Sequence, residues 1–140
     1  MDSAKLSGFI YKNAQMGIFT IPLVAAQCKD ASFKALLKKQ YAFYKYAARR
    51  AAKKIRDKEI VLSSCEKIRV AAMIKFNSFP YPYTAVSKLA RMMAFGSLAG
   101  VVDIKRKIRE YSDADEDIKN IAHELLEREL KNLARLLAFV

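Results

Sequence analysis

Residues 33–56 read FKALLKKQYAFYKYAARRAAKKIR, and this stretch decides the fold. Phe33, Leu36, Leu37, Gln40, Tyr44, Ala47, Ala48, Ala51 and Ile55 recur three and four positions apart. That is the period of one face of a helix, not of a strand. The opposite side carries Lys38, Lys45, Arg49, Lys53 and Arg56, flanked by Lys39 and Arg50, with Tyr46 set among them. The pattern predicts an amphipathic helix reaching about Lys58, capped at its start by Asp30 or Ser32.

The same period extends outward on both sides. A first helix is expected from about Ser3 to Cys28, with Leu6, Phe9, Ile10, Asn13, Gly17, Ile21, Val24 and Cys28 on one face and a kink at Pro22. Ser63 and Glu66 are spaced as a capping box and predict a short helix ending near Ser78. Two prolines in Phe79–Tyr83 then demand an extended link. Thr84 opens a long helix to Tyr111, with Val86, Leu89, Met93, Ser97, Val101, Ile104 and Ile108 as its core face. Phe95, Leu98 and Val102 fall on the other side of it, and a helix so apolar all round is expected to be buried on all sides, within the bundle or in an oligomer. Ser112 or Asp113 caps the last helix, whose first turn gathers Asp113, Asp115, Glu116 and Asp117 to suit the helix dipole. Its stripe is Ile118, Ala122, Leu125, Glu129, Leu133, Leu136 and Val140. The expected fold is all-α: one domain over residues 1–140, a bundle of four long helices with a short extra helix in the crossover between the second and third of them.

Composition agrees. The chain has 140 residues, 53% of them hydrophobic, with four glycines and three prolines. It carries 26 Lys and Arg against 14 Asp and Glu, a net charge of +12. The excess is local: residues 31–60 hold ten basic and two acidic side chains, residues 113–140 four and seven. Such asymmetry favours polyanionic partners, nucleic acid among them, or serves as a solvated surface alone. The two cysteines, Cys28 and Cys65, lie among apolar residues without ligand spacing, which suits a reduced, cytoplasmic protein. The start, MDSAKLSGFIYKNAQMG, lacks the layout of a secretory signal. The longest apolar runs, near Gly17–Gln27 and Met92–Val102, are about half of the roughly 20 residues a transmembrane helix needs.

Enzyme chemistry finds few footholds. The only histidine, His123, sits off the centre of its apolar face, so no nucleophile–base pair suggests itself. No glycine-rich phosphate loop or zinc spacing is present. A carboxylate-bridged di-metal centre needs two Glu-x-x-His motifs, and Asn120 stands three residues before His123. No cofactor and no metal are therefore expected. One carboxylate is misplaced for a solvated role: Glu129 falls on the inner stripe, where burial requires a partner or a proton. Tyr44, Asn13, Gln40 and Asn132 also fall on inner faces. Together they make a candidate buried polar cluster, structural or ligand-binding.

FIYKNAQMG at residues 9–17 followed by Thr20-Ile21, EKIR at 66–69 followed by Met73-Ile74, and GSLAGVVDIKRKIREY at 96–111 resemble a family of small clostridial ferritin-like helical-bundle proteins of unassigned function. The resemblance spans most of the chain and implies a ferritin-like bundle. It also implies acidic residues where Phe19, Phe43 and Arg50 stand, a Ser-His-x-x-Glu-Met segment at Ser87–Met92, and a Glu-Glu pair at Glu129-Leu130. Only Glu129 remains, so the resemblance describes a diverged member without the family's acidic and histidine positions. The function expected is a non-enzymatic interaction or structural bundle that forms a homo-oligomer through the helix over 84–111. The alternative is polyanion binding by Lys38, Lys45, Arg49, Lys53 and Arg56.

Overall fold

The computed structural model describes residues 1–55, Lys67 and residues 85–140, and among them every regular element is a helix. The helices are α1 (Asp2–Ala26), α2 (Ala31–Ala52), α3 (Val86–Glu110) and α4 (Glu116–Leu137). The short helix expected from Ser63, the Phe79–Tyr83 link and Arg56 lie outside the described residues.

Asp30 settles the entry to α2. Its carboxylate accepts the Phe33 N–H at 2.8 Å, satisfying one of the donors a helix start leaves open. Asp30→Ala is expected to cost about 1 kcal/mol, a thermal midpoint lower by a few degrees, whereas Ser32→Ala leaves it unchanged. Calorimetry on the two variants checks this. The exit differs from expectation. α2 stops at Ala52, and Lys53 and Lys54 form a turn closed by Lys54 N–H to Ala51 O at 3.0 Å. The Lys54 ammonium there meets Asp117 at 2.8 Å, tying the end of α2 to the start of α4.

α1 runs unbroken through Pro22 to Ala26, two residues short of Cys28. The start of α4 is a second correction. Asp115, not Ser112 or Asp113, precedes the first turn, which holds only Glu116 and Asp117. The Asp113 and Asp115 N–H groups point instead at the chain start, to the Asp2 carboxylate at 3.4 Å and Ser3 Oγ at 2.7 Å. The Asp115 side chain makes no cap hydrogen bond to the first turn.

These ties set the helix directions. Asp2 lies by Asp113, Lys54 by Asp117, and Phe33 packs edge-on against Phe139 with ring centroids 5.3 Å apart. The order is therefore up-down-down-up: α1 and α2 form one antiparallel hairpin, α3 and α4 another, and α2 ends at the end of the bundle opposite to where α3 begins. The hairpin interfaces are the most extensive, and α2 against α4 and α1 against both α3 and α4 join them. Leu6, Ile10, Phe33, Leu37, Leu89, Ile104, Ile118, Leu125 and Leu136 are sealed at the centre.

Two apolar stripes are corrected by the packing. Val140 is 57% exposed, because α4 ends at Leu137 and the helical period ends with it. α3 does not occupy a central position. Its inner face is Leu89, Ala90, Ala94, Ser97, Val101 and Ile104, while Phe95, Leu98 and Val102 look outward at 67%, 47% and 58% exposure. No described helix is long and apolar enough to cross a membrane.

Candidate functional site

Where the two hairpins meet, the helices leave a cavity of about 180 Å³. α2 and α4 each contribute one side chain to it, Tyr44 and Glu129. α1 supplies Asn13, Met16, Gly17 and Thr20, and α3 supplies Met92, Met93, Ser97 and two glycines, Gly96 and Gly100. Among the described residues the lining is mostly apolar, with Glu129 its one charged member.

Gly17 shapes this site. A Cβ there would overlap the ring of Tyr44, so only glycine lets the tyrosine lie against the α1 backbone. With the ring held flat, its hydroxyl donates to Glu129 Oε1 across the bundle. The second oxygen, Oε2, is buried without a hydrogen-bond partner among the described residues. Glu129 is 2% exposed. Burial raises its pKa above the ordinary carboxylate range, against the opposing pull of the Tyr44 and Ser97 hydroxyls. Tyr44 is pushed well above its usual value by burial and by the neighbouring carboxylate charge.

Of the five polar residues singled out by periodicity, three line one cavity: Glu129, Tyr44 and Asn13. Gln40 and Asn132 are buried about one turn away on α2 and α4, but do not line it. Gln40 Nε2 and Ser7 Oγ are likewise buried without partners among the described residues. Ser97 was legible only as part of a core stripe. Its signal was a hydroxyl between Met93 and Val101, at the same register where Glu129 interrupts α4. Gly17 announced itself as a glycine inside a long helix, where it has a conformational cost to offset.

The cationic side chains are elsewhere. Lys38, Lys45 and Arg49 are exposed along α2, Lys45 lying 5.0 Å from the centre of the Tyr41 ring. Lys53 is exposed in the turn beyond the helix, so it does not continue the helical stripe. None of the four has a carboxylate within ion-pairing distance among the described residues. Arg50 is turned inward at the opposite edge of α2, donating to the Tyr46 hydroxyl at 2.7 Å, and that hydroxyl donates to Glu124 at 3.3 Å. His123 is exposed. Phe43 is buried, with the Arg128 guanidinium 5.0 Å from the centre of its ring. Among the described residues no group of three or more His, Cys, Asp or Glu side chains is placed to hold a metal ion.

No family model matches the chain, and no significant match was found among curated proteins or solved structures.

Proposed function

We propose that this protein is a non-enzymatic helical bundle of ferritin-like topology, resident in the cytoplasm, that associates with a second copy of itself through the outer face of α3. The observation that carries this reading is the exposure of Phe95, Leu98 and Val102 within an uncharged run of eleven residues, Met92–Val102. Exposed apolar side chains gathered on one helix face mark an interaction surface more than singly scattered ones do. Their spacing of three and four places them in one row, and the small Ala99 beside the row admits a second helix closely. A two-fold axis between Leu98 and Ala99 sets Phe95 of each copy against Val102 of the other, the self-complementary contact of a symmetric dimer. The up-down-down-up order supports the ferritin-like topology.

A second reading, polyanion binding by α2, rests on Lys38, Lys45, Arg49 and Lys53, which are exposed and without an ion-pair partner among the described residues. Salt separates the two. Each copy carries +12, so raising salt tightens self-association by screening repulsion, whereas phosphate binding weakens as counterions regain their advantage. Size-exclusion chromatography with light scattering, at low and moderate salt and with or without short duplex DNA, reads both. A dimer that ignores DNA is expected. Phe95→Lys should raise its dissociation constant at least about thirtyfold, as for a central aromatic anchor. A monomer at about 100 μM overturns the first reading, and salt-sensitive elution with DNA establishes the second.

A further inference from the structure

We propose that the cavity between α1 and α3 is a binding site for a small organic cation, a primary ammonium group on a compact apolar body, with the ammonium held by Glu129. The inference is independent of self-association, because the outward row of α3 lies away from the cavity.

Three observations converge. Glu129 is 2% exposed, lines the cavity, and has one oxygen committed to Tyr44 and the other without a partner in hydrogen-bonding geometry among the described residues, with the Ser97 hydroxyl close by. Buried polar atoms are hydrogen-bonded in the great majority of folded proteins, so a buried carboxyl on a cavity wall with an oxygen left over calls for a donor. Among the described residues the lining carries no Lys, Arg or His, so a carboxylate or phosphate ligand would meet an acid there and no counter-charge from these side chains. An ammonium balances the ionised carboxylate and supplies the missing donor in one contact.

The rest of the lining selects the ligand's body. Met16, Met92 and Met93 give unbranched, polarisable walls that adapt to a ring or a branched chain. Gly96 and Gly100 add no side chain to the α3 wall, and a Cβ at Gly96 would meet nothing within 4 Å. A volume of about 180 Å³ suits a molecule a little larger than benzene, which fills an engineered cavity of about 150 Å³. Asn13 and Ser97 stand ready as further acceptors for the remaining ammonium hydrogens.

Binding of this kind is linked to protons. Among the described residues, Tyr44 from α2, Ser97 from α3, and Asn13 and Thr20 from α1 share the cavity wall with the carboxyl, and none of them is charged at neutral pH. The free protein therefore holds Glu129 protonated to higher pH than usual, and the bound ammonium requires it ionised. Affinity rises with pH through the range in which Glu129 titrates, then levels until the ligand loses its own proton.

The test is titration of the full chain with benzylamine, benzyl alcohol and benzoate, followed by the methionine methyl resonances and by calorimetry. Benzylamine is expected to shift Met16, Met92 and Met93 saturably and to bind at least about tenfold tighter than benzyl alcohol, with benzoate weakest. Glu129→Gln should erase the preference for the amine. Gly100→Leu, which adds bulk to the cavity wall and keeps Glu129, should abolish binding of both and serves if the first variant fails to fold. No saturable shift up to about 10 mM benzylamine, equal binding of alcohol and amine by the native protein, or amine binding unchanged in both variants would each overturn the proposal.

Discussion

Gly17→Val is expected to lower the free energy of unfolding by about 3 kcal/mol, and Gly17→Ala by about 1–2 kcal/mol. The Tyr44 ring occupies the place of the added Cβ, and the ring is boxed in by the hydroxyl's bond to Glu129 and by burial at 8% exposure. Relief requires α1 and α2 to part or Tyr44 to leave its rotamer, and in a close-packed core both are unfavourable. The gain in helix propensity from glycine to alanine, about 1 kcal/mol, offsets part of the alanine penalty. Valine recovers less of it and adds two more methyl groups. Urea denaturation of both variants measures the loss, and the thermal midpoint of Gly17→Val should fall by roughly 10 °C. A double-mutant cycle with Tyr44→Leu isolates the cause: with the ring removed, Gly17→Ala should cost nothing. A penalty that persists in the Tyr44→Leu background would show that Gly17 serves something other than the ring.

Tyr44→Phe is expected to destabilise the protein by about 2–3 kcal/mol at neutral to mildly alkaline pH, and by only about 1 kcal/mol in acid. The difference follows from the charge on Glu129. The folded state raises the pKa of this carboxyl above its value in the unfolded chain. Between the two values the folded protein binds more protons, so the group's contribution to stability is fully present in acid. It is lost as pH climbs from the ordinary carboxylate value of about 4.3 through the raised one. The Tyr44 hydroxyl moderates that loss by donating to the ionised form. Without the hydroxyl, Glu129 titrates higher still and the loss steepens. Urea denaturation at pH 4.5 and pH 8 gives the two numbers. Glu129→Gln, which has no proton to lose, should flatten this part of the pH profile. Equal penalties for Tyr44→Phe at both pH values would remove the charge from the explanation.

The two predictions bear on one design. Gly17 admits the ring, the ring carries the hydroxyl to Glu129, and the glutamate lines the cavity. Three helices are needed to place one carboxylate, which is why a single substitution on α1 acts on a residue of α4.

The helices themselves were written in the chain. Apolar residues three and four apart are a property of each segment alone, and every described segment with that period is helical. The burial of Glu129 follows from the same arithmetic, since it stands on the row of Ile118, Ala122 and Leu125. Asp30 was one of two candidates for a local cap and forms it, because that bond needs only its own first turn. What the chain did not disclose depends on a neighbour. Phe43 lies at the edge of its stripe by periodicity and is buried because α4 lays Arg128 over it. Ser112 and Asp113 were expected to open α4, but the helix starts after Asp115, and the Asp113 and Asp115 N–H groups bond to Asp2 and Ser3, more than a hundred residues away in sequence. α2 loses its last expected turn where Lys54 reaches Asp117.

For α3, periodicity named the core face, of which Leu89, Ser97, Val101 and Ile104 are buried, and left open whether the other side is covered by the bundle or by a second copy. The structure places Phe95, Leu98 and Val102 outside. The meeting of Tyr44 with Glu129, 85 residues apart, is likewise a matter of how far two antiparallel helices slide past one another. The sequence alone determined which face of each helix is apolar, because that is set by the spacing of side chains along one backbone. The tertiary structure alone decided which faces meet and in what register, because those depend on the volumes of side chains brought together from different helices. A missing side chain at Gly17 is such a volume, and no local pattern records that a ring must fill it.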